Sequence, residues 1–402
     1  MKKKKWLKPR HRIITSLACA VLKPVCKLKY NIDIVPFKEQ GKRPYLILLN
    51  HQTPFDQFFV GCSFKGPVYY LATEDIFSLG FLSTLLKWAV APIPIRKQTS
   101  DASAVLNCLR VAKEGGTLCI APEGNRTYSG KTEYMNPAIS ALAKKLNYPI
   151  ALYRIEGGYG SEPRWSDKVR KGKMRSYVSK IIEPEEYKDL SNEELHKLIK
   201  EGLYVNEASV DFEYKNNERA QYLERAIYVC PYCGLSVFES SGNEIECKKC
   251  HRKISYGADK KLTGLGFDFP FPFVNDWYEY QKNFINSLDV TAYSKESIYE
   301  DEADISKVLL FKKKLPFIEK AKISLYGDKV IVNEKSETPI ELLFSEVTAA
   351  AVLGRNKLNI YHGGNVYQIK GSKRFNALKY VNLYFRFKNI QRGEENGEFL
   401  GL

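Results

Sequence analysis

Tyr45-Leu46-Ile47-Leu48-Leu49-Asn50-His51-Gln52-Thr53-Pro54-Phe55-Asp56 is the stretch whose reading decides the fold. Five apolar residues in succession after Arg43-Pro44, with no alternating polar positions, predict a short buried strand. Pro54 cannot continue a strand ladder but suits the first turn of a helix. The stretch therefore predicts strand, tight turn and helix start. It places His51 at the strand's carboxyl end, where ligands bind in α/β sheets. An aspartate five positions after a histidine, across such a turn, makes a base and its orienter. The carboxylate can accept the Nδ1 hydrogen, fix the tautomer and stabilise the imidazolium formed when Nε2 takes a proton. No serine or cysteine nucleophile is paired with the histidine, which leaves the attacking hydroxyl to a substrate. A surface histidine beside a helix-capping aspartate would show the same spacing, so a second stretch has to decide.

That second stretch is Ile120-Ala121-Pro122-Glu123-Gly124-Asn125-Arg126-Thr127, after the apolar run Thr117-Leu118-Cys119-Ile120 and the turn Gly115-Gly116. Glycine lets the backbone approach an anion closely, and an arginine there offers a planar fork for phosphate. Asn-His-x4-Asp followed by Pro-Glu-Gly-x-Arg resembles the glycerolipid acyltransferases, the family of 1-acylglycerol-3-phosphate O-acyltransferase. Pro92-Ile93-Pro94-Ile95-Arg96 resembles the family's middle block, and Tyr148-Pro149-Ile150-Ala151-Leu152 its fourth. The four blocks stand in family order across residues 50–152. Ala121, Asn125 and Thr127 depart from the usual Phe, Thr and Ser but leave the charged residues in place.

The resemblance implies transfer of a fatty acyl group from acyl-CoA or acyl carrier protein to the free hydroxyl of a lysophospholipid. The expected acceptor is 1-acylglycerol 3-phosphate, giving phosphatidic acid in phospholipid synthesis. His51 would be the general base and Asp56 its orienter. Arg126, assisted by Arg96, would hold the acceptor phosphate, and Glu123 with Gly124 would shape that loop. The competing reading is a protein without catalysis, either a nucleic-acid binder using a zinc ribbon or a lipid-binding regulator. A nucleic-acid adaptor has no need of the set His51, Asp56, Glu123 and Arg126, so nucleic acid is not the expected partner.

The formal charge of +16 over 402 residues calls for an anionic partner, with hydrophobic (44%) and charged (27%) contents ordinary for a folded chain. Residues 1–12 are strongly basic around Trp6 and Leu7, and the apolar run from Ile13 to Leu22 ends at Lys23-Pro24. A membrane span needs about 20 apolar residues. The segment reads instead as a basic helix lying in the interface, so the expected location is the cytoplasmic face of the cell membrane, peripheral or monotopic, against anionic lipid. Strands alternating with helical patterns through residue 182 predict an α/β domain with a mixed sheet flanked by helices. Ser191 with Glu194 forms a capping box that opens a further helix, expected to continue as a charged extension to about Arg225.

Of nine cysteines, Cys230, Cys233, Cys247 and Cys250 form two C-x2-C pairs separated by thirteen residues. Two such knuckles close a tetrahedral thiolate site with no open position, so a structural zinc ribbon is expected, with His251 outside the ligand set. The odd total argues against a disulfide framework and for a reducing compartment. Residues 264–277, rich in Phe, Pro and Gly, read as an aromatic linker followed by a helix. Turn signals at Gly327-Asp328 and Gly363-Gly364-Asn365 predict hairpins, and Phe375, Leu378, Val381 and Phe385 mark one face of a last helix. This small α+β region resembles a pleckstrin-homology-like module. The expected order is a basic membrane-interface segment (1–30), an acyltransferase domain with helical extension (31–225) and a zinc ribbon (226–257). An aromatic linker and helix (258–300), the pleckstrin-homology-like domain (301–392) and a disordered tail (393–402) follow.

Overall fold

The structure is a computed structural model that describes residues 5–78, 80–95, 101–210, 212–309, 312–395 and 397–399. The chain forms two compact units. One holds Met1–Pro163 and Val169–Tyr214; the other holds Arg164–Lys168 and Lys215–Leu402.

The first unit opens with helix α1 (Pro9–Tyr30), strand β1 (Ile32–Ile34), strand β2 (Leu46–Leu49) and helix α2 (Asp56–Ser63). Then come β3 (Val68–Thr73), α3 (Phe81–Ala89), β4 (Ile93–Ile95), α4 (Ala102–Lys113), β5 (Thr117–Ile120) and α5 (Ala138–Leu146). It closes with β6 (Ile150–Glu156), the single-turn α6 (Gly158–Ser161), β7 (Met174–Ile182), the single-turn α7 (Pro184–Tyr187) and α8 (Asn192–Leu203). The seven strands form one mixed sheet in the order β1-β7-β6-β2-β5-β3-β4. β2 lies near the middle, parallel to both β5 and β6, while β7 runs antiparallel to β6.

All four residues of β2 are buried because helices cover both faces of the sheet. Leu46 and Leu48 pack with Cys108 and Val111 of α4, Ile139 of α5 and Ile199 of α8. Ile47 and Leu49 pack on the other face with Tyr30 of α1 and Phe59 and Val60 of α2. Asp101 caps α4 by accepting from the Ala104 amide at 3.1 Å, and the Ser191–Glu194 capping box opens α8 as expected. The helical extension to Arg225 does not form. α8 stops at Leu203, and a single 3-10 turn over Leu223–Arg225 is the next helical element.

α1 corrects the reading of the amino terminus in two ways. It does not end at Lys23-Pro24 but runs through Pro24 to Tyr30, where Asn31 in a left-handed conformation caps it. Trp6 and Leu7 do not reach outward either: Glu114 accepts both backbone amides at 2.9–3.0 Å, and the Trp6 indole donates to the Ala91 carbonyl at 3.2 Å. The outward apolar surface belongs to Ile13, Leu17, Val21 and Leu28 of α1, 62–88% exposed, and to Phe81, Leu85 and Trp88 of α3. Among the described residues, no helix is long and apolar enough to cross a membrane.

In the second unit, β8 (Val229–Cys230) pairs with β9 (Gly234–Leu235). A four-stranded sheet follows in chain order, made of β10 (Phe238–Ser241), β11 (Glu244–Cys247), β12 (Lys253–Tyr256) and β13 (Leu262–Gly264). The aromatic stretch packs on α9 (Val274–Ser287), with Phe269 and Trp277 ring centroids 4.9 Å apart. The carboxyl-terminal part is antiparallel: β14 (Tyr299–Leu309), β15 (Lys313–Leu325), β16 (Lys329–Val332), β17 (Ile340–Leu343), β18 (Val347–Leu353), β19 (Lys357–His362) and β20 (Asn365–Gly371). They order as β17-β16-β15-β14-β20-β19-β18, and α10 (Leu378–Arg392) completes the α+β domain. Both expected hairpin turns are present. Phe375, Leu378, Val381 and Phe385 are all buried. Part of the tail is docked rather than loose, since Phe399 is buried and Gly397 packs against Asn389.

Candidate active site and four-cysteine cluster

Three adjacent parallel strands, β6, β2 and β5, deliver their carboxyl ends to one edge of the sheet. Asn50 and His51 leave β2 there, Ala121 to Arg126 leave β5, and Gly157 leaves β6. Asn50 fastens two of these ends together. Its side chain donates to the Ile155 carbonyl and accepts from the Ile155 amide, both at 2.8 Å, with no exposure to solvent. Gly158 lies so close to Gln52 that a Cβ there would stand 2.5 Å from the Gln52 Cβ, which explains a glycine at that contact.

His51 Nδ1 lies 2.7 Å from Asp56 Oδ2. Asp56 is the first residue of α2 and is 1% exposed, where the helix N-terminus favours a negative charge. It accepts further hydrogen bonds from the Gln52 amide (2.7 Å), the Thr53 amide (2.9 Å) and the Thr53 hydroxyl (2.6 Å). Four donors converging on one carboxyl group suit its ionised form. They also lock its orientation, and with it the plane of the imidazole. The His51 side chain keeps 26% of its surface exposed. With Nδ1 committed to Asp56, Nε2 is the ring atom placed to take a proton from an approaching hydroxyl.

The Glu123 loop reaches the same place. Glu123 Oε1 accepts the His51 amide at 3.1 Å, and the Thr127 amide donates to the His51 carbonyl at 3.4 Å. Gly124, with φ +71°, turns the loop, and its amide donates to Ala121. Arg126 follows that turn, half-buried, and its positive charge acts on Tyr30. The structure thus brings His51, Asp56, Glu123, Gly124 and Arg126 into one neighbourhood. Arg96 lies outside the described residues.

Residues that sequence reasoning did not find join them. Tyr30 is buried against Phe55 and Phe59, and its hydroxyl donates to Glu162. Burial and that hydrogen bond raise the phenol well above its usual range, with the charges of Glu162 and Asp56 adding to the effect. Lys29 stands 3.5 Å from Glu162 and 4.0 Å over the Phe55 ring. Nothing in the sequence joins Tyr30 to Glu162, 132 positions away. The role of Thr53, in contrast, is signalled by its place three residues before Asp56 at a helix start.

Burial pushes the Glu123 carboxyl up to about 8, with Glu133 and Asp56 adding repulsion and the His51 amide opposing them. The folded protein therefore holds this proton more tightly than the unfolded chain, whose glutamates titrate near 4.5. A raised carboxyl contributes fully below the lower value and costs stability as pH climbs towards the higher one. Glu123→Gln is expected to flatten the decline in unfolding free energy between about pH 5 and pH 8 by more than about 1 kcal/mol. Urea melts across that range check this, and an unchanged slope would show that Glu123 is already ionised.

In the second unit, the four Sγ atoms of Cys230, Cys233, Cys247 and Cys250 lie within 4.8 Å of one another. Cys230 and Cys250 are 3.7 Å apart, Cys233 and Cys247 3.5 Å. A zinc tetrathiolate with bonds of about 2.3 Å has sulfur–sulfur edges of about 3.8 Å, so the cluster could hold a metal ion. Arg252 supports Cys250 through both its backbone amide and its side chain. His251 is not among the ligands; it is 74% exposed and 3.2 Å from Glu246.

Residues 29–153 match the sequence model of the acyltransferase family, over the segment that carries His51, Asp56, Glu123, Gly124 and Arg126. This segment is an acyltransferase domain. Among solved structures, the chain is similar to the 1-acyl-sn-glycerophosphate (LPA) acyltransferase PlsC from Thermotoga maritima. The two share 18% identity over 48% of this chain and 75% of that one, with a TM-score of 0.39. No curated protein matches the sequence. The acyltransferase match ends at Tyr153, so the four-cysteine cluster and the carboxyl-terminal α+β domain lie beyond it.

Proposed function

We propose that the protein transfers a fatty acyl group from acyl-CoA or acyl carrier protein to the free hydroxyl of a lysophospholipid, with 1-acylglycerol 3-phosphate as acceptor. The observation that carries this reading is the His51–Asp56 pair, locked by three further donors to Asp56 and set beside the Arg126 loop at one sheet edge. His51 Nε2 takes the proton of the acceptor hydroxyl as its oxygen attacks the thioester carbonyl. Asp56 holds the imidazole and stabilises its charge. Collapse of the tetrahedral intermediate expels the thiolate, which recovers a proton from His51, so acid and base roles fall to one residue. Arg126 holds the acceptor phosphate, and alignment of two substrates supplies a large part of the rate gain.

Arg126→Lys keeps the charge but gives up the bidentate fork. It is expected to raise KM for lysophosphatidate by more than it lowers kcat, as for an interaction made equally in ground and transition states. Monoacylglycerol, which lacks the phosphate, is expected to be an equally poor acceptor for both proteins. Thiol release from acyl-CoA with each acceptor tests this. A parallel loss with both acceptors would make Arg126 a brace of the loop rather than a clamp.

The same reading places the protein at the cytoplasmic face of the cell membrane as a peripheral or monotopic protein. The exposed residues Ile13, Leu17, Val21 and Leu28 repeat at helical spacing along α1, and Phe81, Leu85 and Trp88 do so along α3. Arg10 links the two helices, its guanidinium 5.1 Å over the Trp88 ring and its Nε donating to the Trp88 carbonyl. Apolar contact and lysine attraction to anionic lipid, about 1 kcal/mol per residue, act together. Leu17→Ser with Val21→Ser is expected to weaken binding to anionic vesicles at all salt concentrations, while added salt weakens the wild type only in part. Undiminished sedimentation of the double variant would move the lipid-facing surface elsewhere. A structural zinc ion in the four-cysteine cluster completes the proposal.

A further inference from the structure

Five cysteines lie outside the four-cysteine cluster, and two of them meet. Cys19 of α1 and Cys62 of α2 face each other where the two helices pack. The Cys19 thiol donates to the Gly61 carbonyl at 3.2 Å, and the Cys62 thiol lies 4.0 Å from the Cys19 carbonyl. Each thiol therefore reaches the other helix's backbone beside the partner cysteine. Both residues are partly exposed, whereas Cys26, Cys108 and Cys119 are buried. We propose that Cys19 and Cys62 are a reversible thiol–disulfide site, oxidised by hydroperoxides, that cross-links α1 to α2.

The chemistry divides between the two sulfurs. The neighbouring Cys62 thiol, with help from the charge of Lys23, lowers the Cys19 thiol against the effect of burial, while Cys62 is raised. Cys19, the lowered thiol and the one with Lys23 acting on it, is thus assigned as the attacking thiolate. Burial raises Cys26, Cys108 and Cys119 and leaves them poor nucleophiles. In the first step the Cys19 thiolate attacks the hydroperoxide, the O–O bond breaks and a sulfenic acid forms on Cys19, while the departing alkoxide takes up through water the proton that Cys19 released on ionising and leaves as the alcohol. In the second, the Cys62 sulfur displaces hydroxide from that sulfenic sulfur, which departs as water with the Cys62 proton. One hydroperoxide is reduced to alcohol and water, and two thiols are oxidised to one disulfide. The bond would join residues 43 positions apart. It ties the helix bearing the exposed apolar stripe to the one that begins with Asp56, whether or not the stripe meets lipid.

The full chain, treated with hydrogen peroxide and digested without reductant, tests the proposal. The expected product is a Cys19–Cys62 linked peptide two hydrogens lighter than its parts, reversed by dithiothreitol, with Cys26, Cys108 and Cys119 still alkylatable. The oxidised wild type is expected to melt higher than the reduced form by on the order of 5 °C, a shift lost in Cys62→Ser. Cys62→Ser should instead accumulate sulfenic acid on Cys19, trapped by dimedone. Peroxide that drives Cys19 to sulfinic acid while Cys62 stays a free thiol would overturn the proposal. Equal melting of the oxidised and reduced forms would overturn the cross-link.

Discussion

His51→Ala is expected to fold normally and to lose acyl transfer by roughly 10²–10⁴-fold, the usual cost of removing a general base. The fold should survive because His51 is partly exposed and the fastenings of its turn are not made by its ring. Asn50 holds Ile155, the His51 amide donates to Glu123, and Asp56 retains the Gln52 and Thr53 donors. The loss should fall on kcat and on kcat/KM alike, because proton removal belongs to the transition state and not to substrate binding. Asp56→Asn behaves differently. An amide offers two hydrogens where the site supplies donors, so at least one buried amide or hydroxyl loses its partner. Each such loss costs about 1–3 kcal/mol, and Asp56→Asn should lower both turnover and melting temperature. Acyl-CoA turnover beside a thermal melt separates the two variants. Near wild-type turnover in a folded His51→Ala protein would remove His51 from the chemistry.

The second large effect concerns the four cysteines. Purified protein is expected to carry one zinc ion per chain, and Cys247→Ser with Cys250→Ser to carry none. Cys247 is fully buried and sits at the end of β11, so its loss removes both a ligand and a packed side chain. Structural zinc contributes about 10–16 kcal/mol of apparent binding energy at neutral pH. That is as large as the whole stability of an ordinary domain, about 5–15 kcal/mol. Residues 226–257 should therefore lose amide protection when the metal is removed. The strands Leu46–Leu49, Thr117–Ile120 and Ile150–Glu156, which form the core of a separate compact unit, should keep theirs. Metal analysis with hydrogen exchange checks both statements. Zinc retained by the double variant would show that the cluster is not its site.

Much of this was legible in the chain itself. β2 and the start of α2 could be read from an apolar run that breaks at a polar turn, because burial on both sheet faces leaves no polar alternation to blur the strand. The two C-x2-C pairs dictated a shared thiolate site, since each knuckle presents two sulfurs to one point. Capping at Ser191 was local chemistry within three residues, and the hairpins at Gly327-Asp328 and Gly363-Gly364 followed from turn residues. Local signals failed where a distant partner outweighed them. Trp6 and Leu7 looked like interface residues until Glu114 and Ala91 were there to receive them, and Pro24 did not stop a helix held by packing on both sides of it.

The sequence by itself determined which residues could carry acid–base chemistry and which could carry a metal, because those are properties of residue types at short spacing. Only the tertiary structure decided that β6, β2 and β5 stand side by side and parallel, which sets Asn50 against Ile155 and Glu123 against the His51 amide. Tertiary packing likewise put Tyr30 on Glu162 and Cys19 beside Cys62. Those contacts close loops of tens of residues or more. The side chains at their ends have no short-range preference for one another; they meet because the sheet and the helices packed on it bring them together.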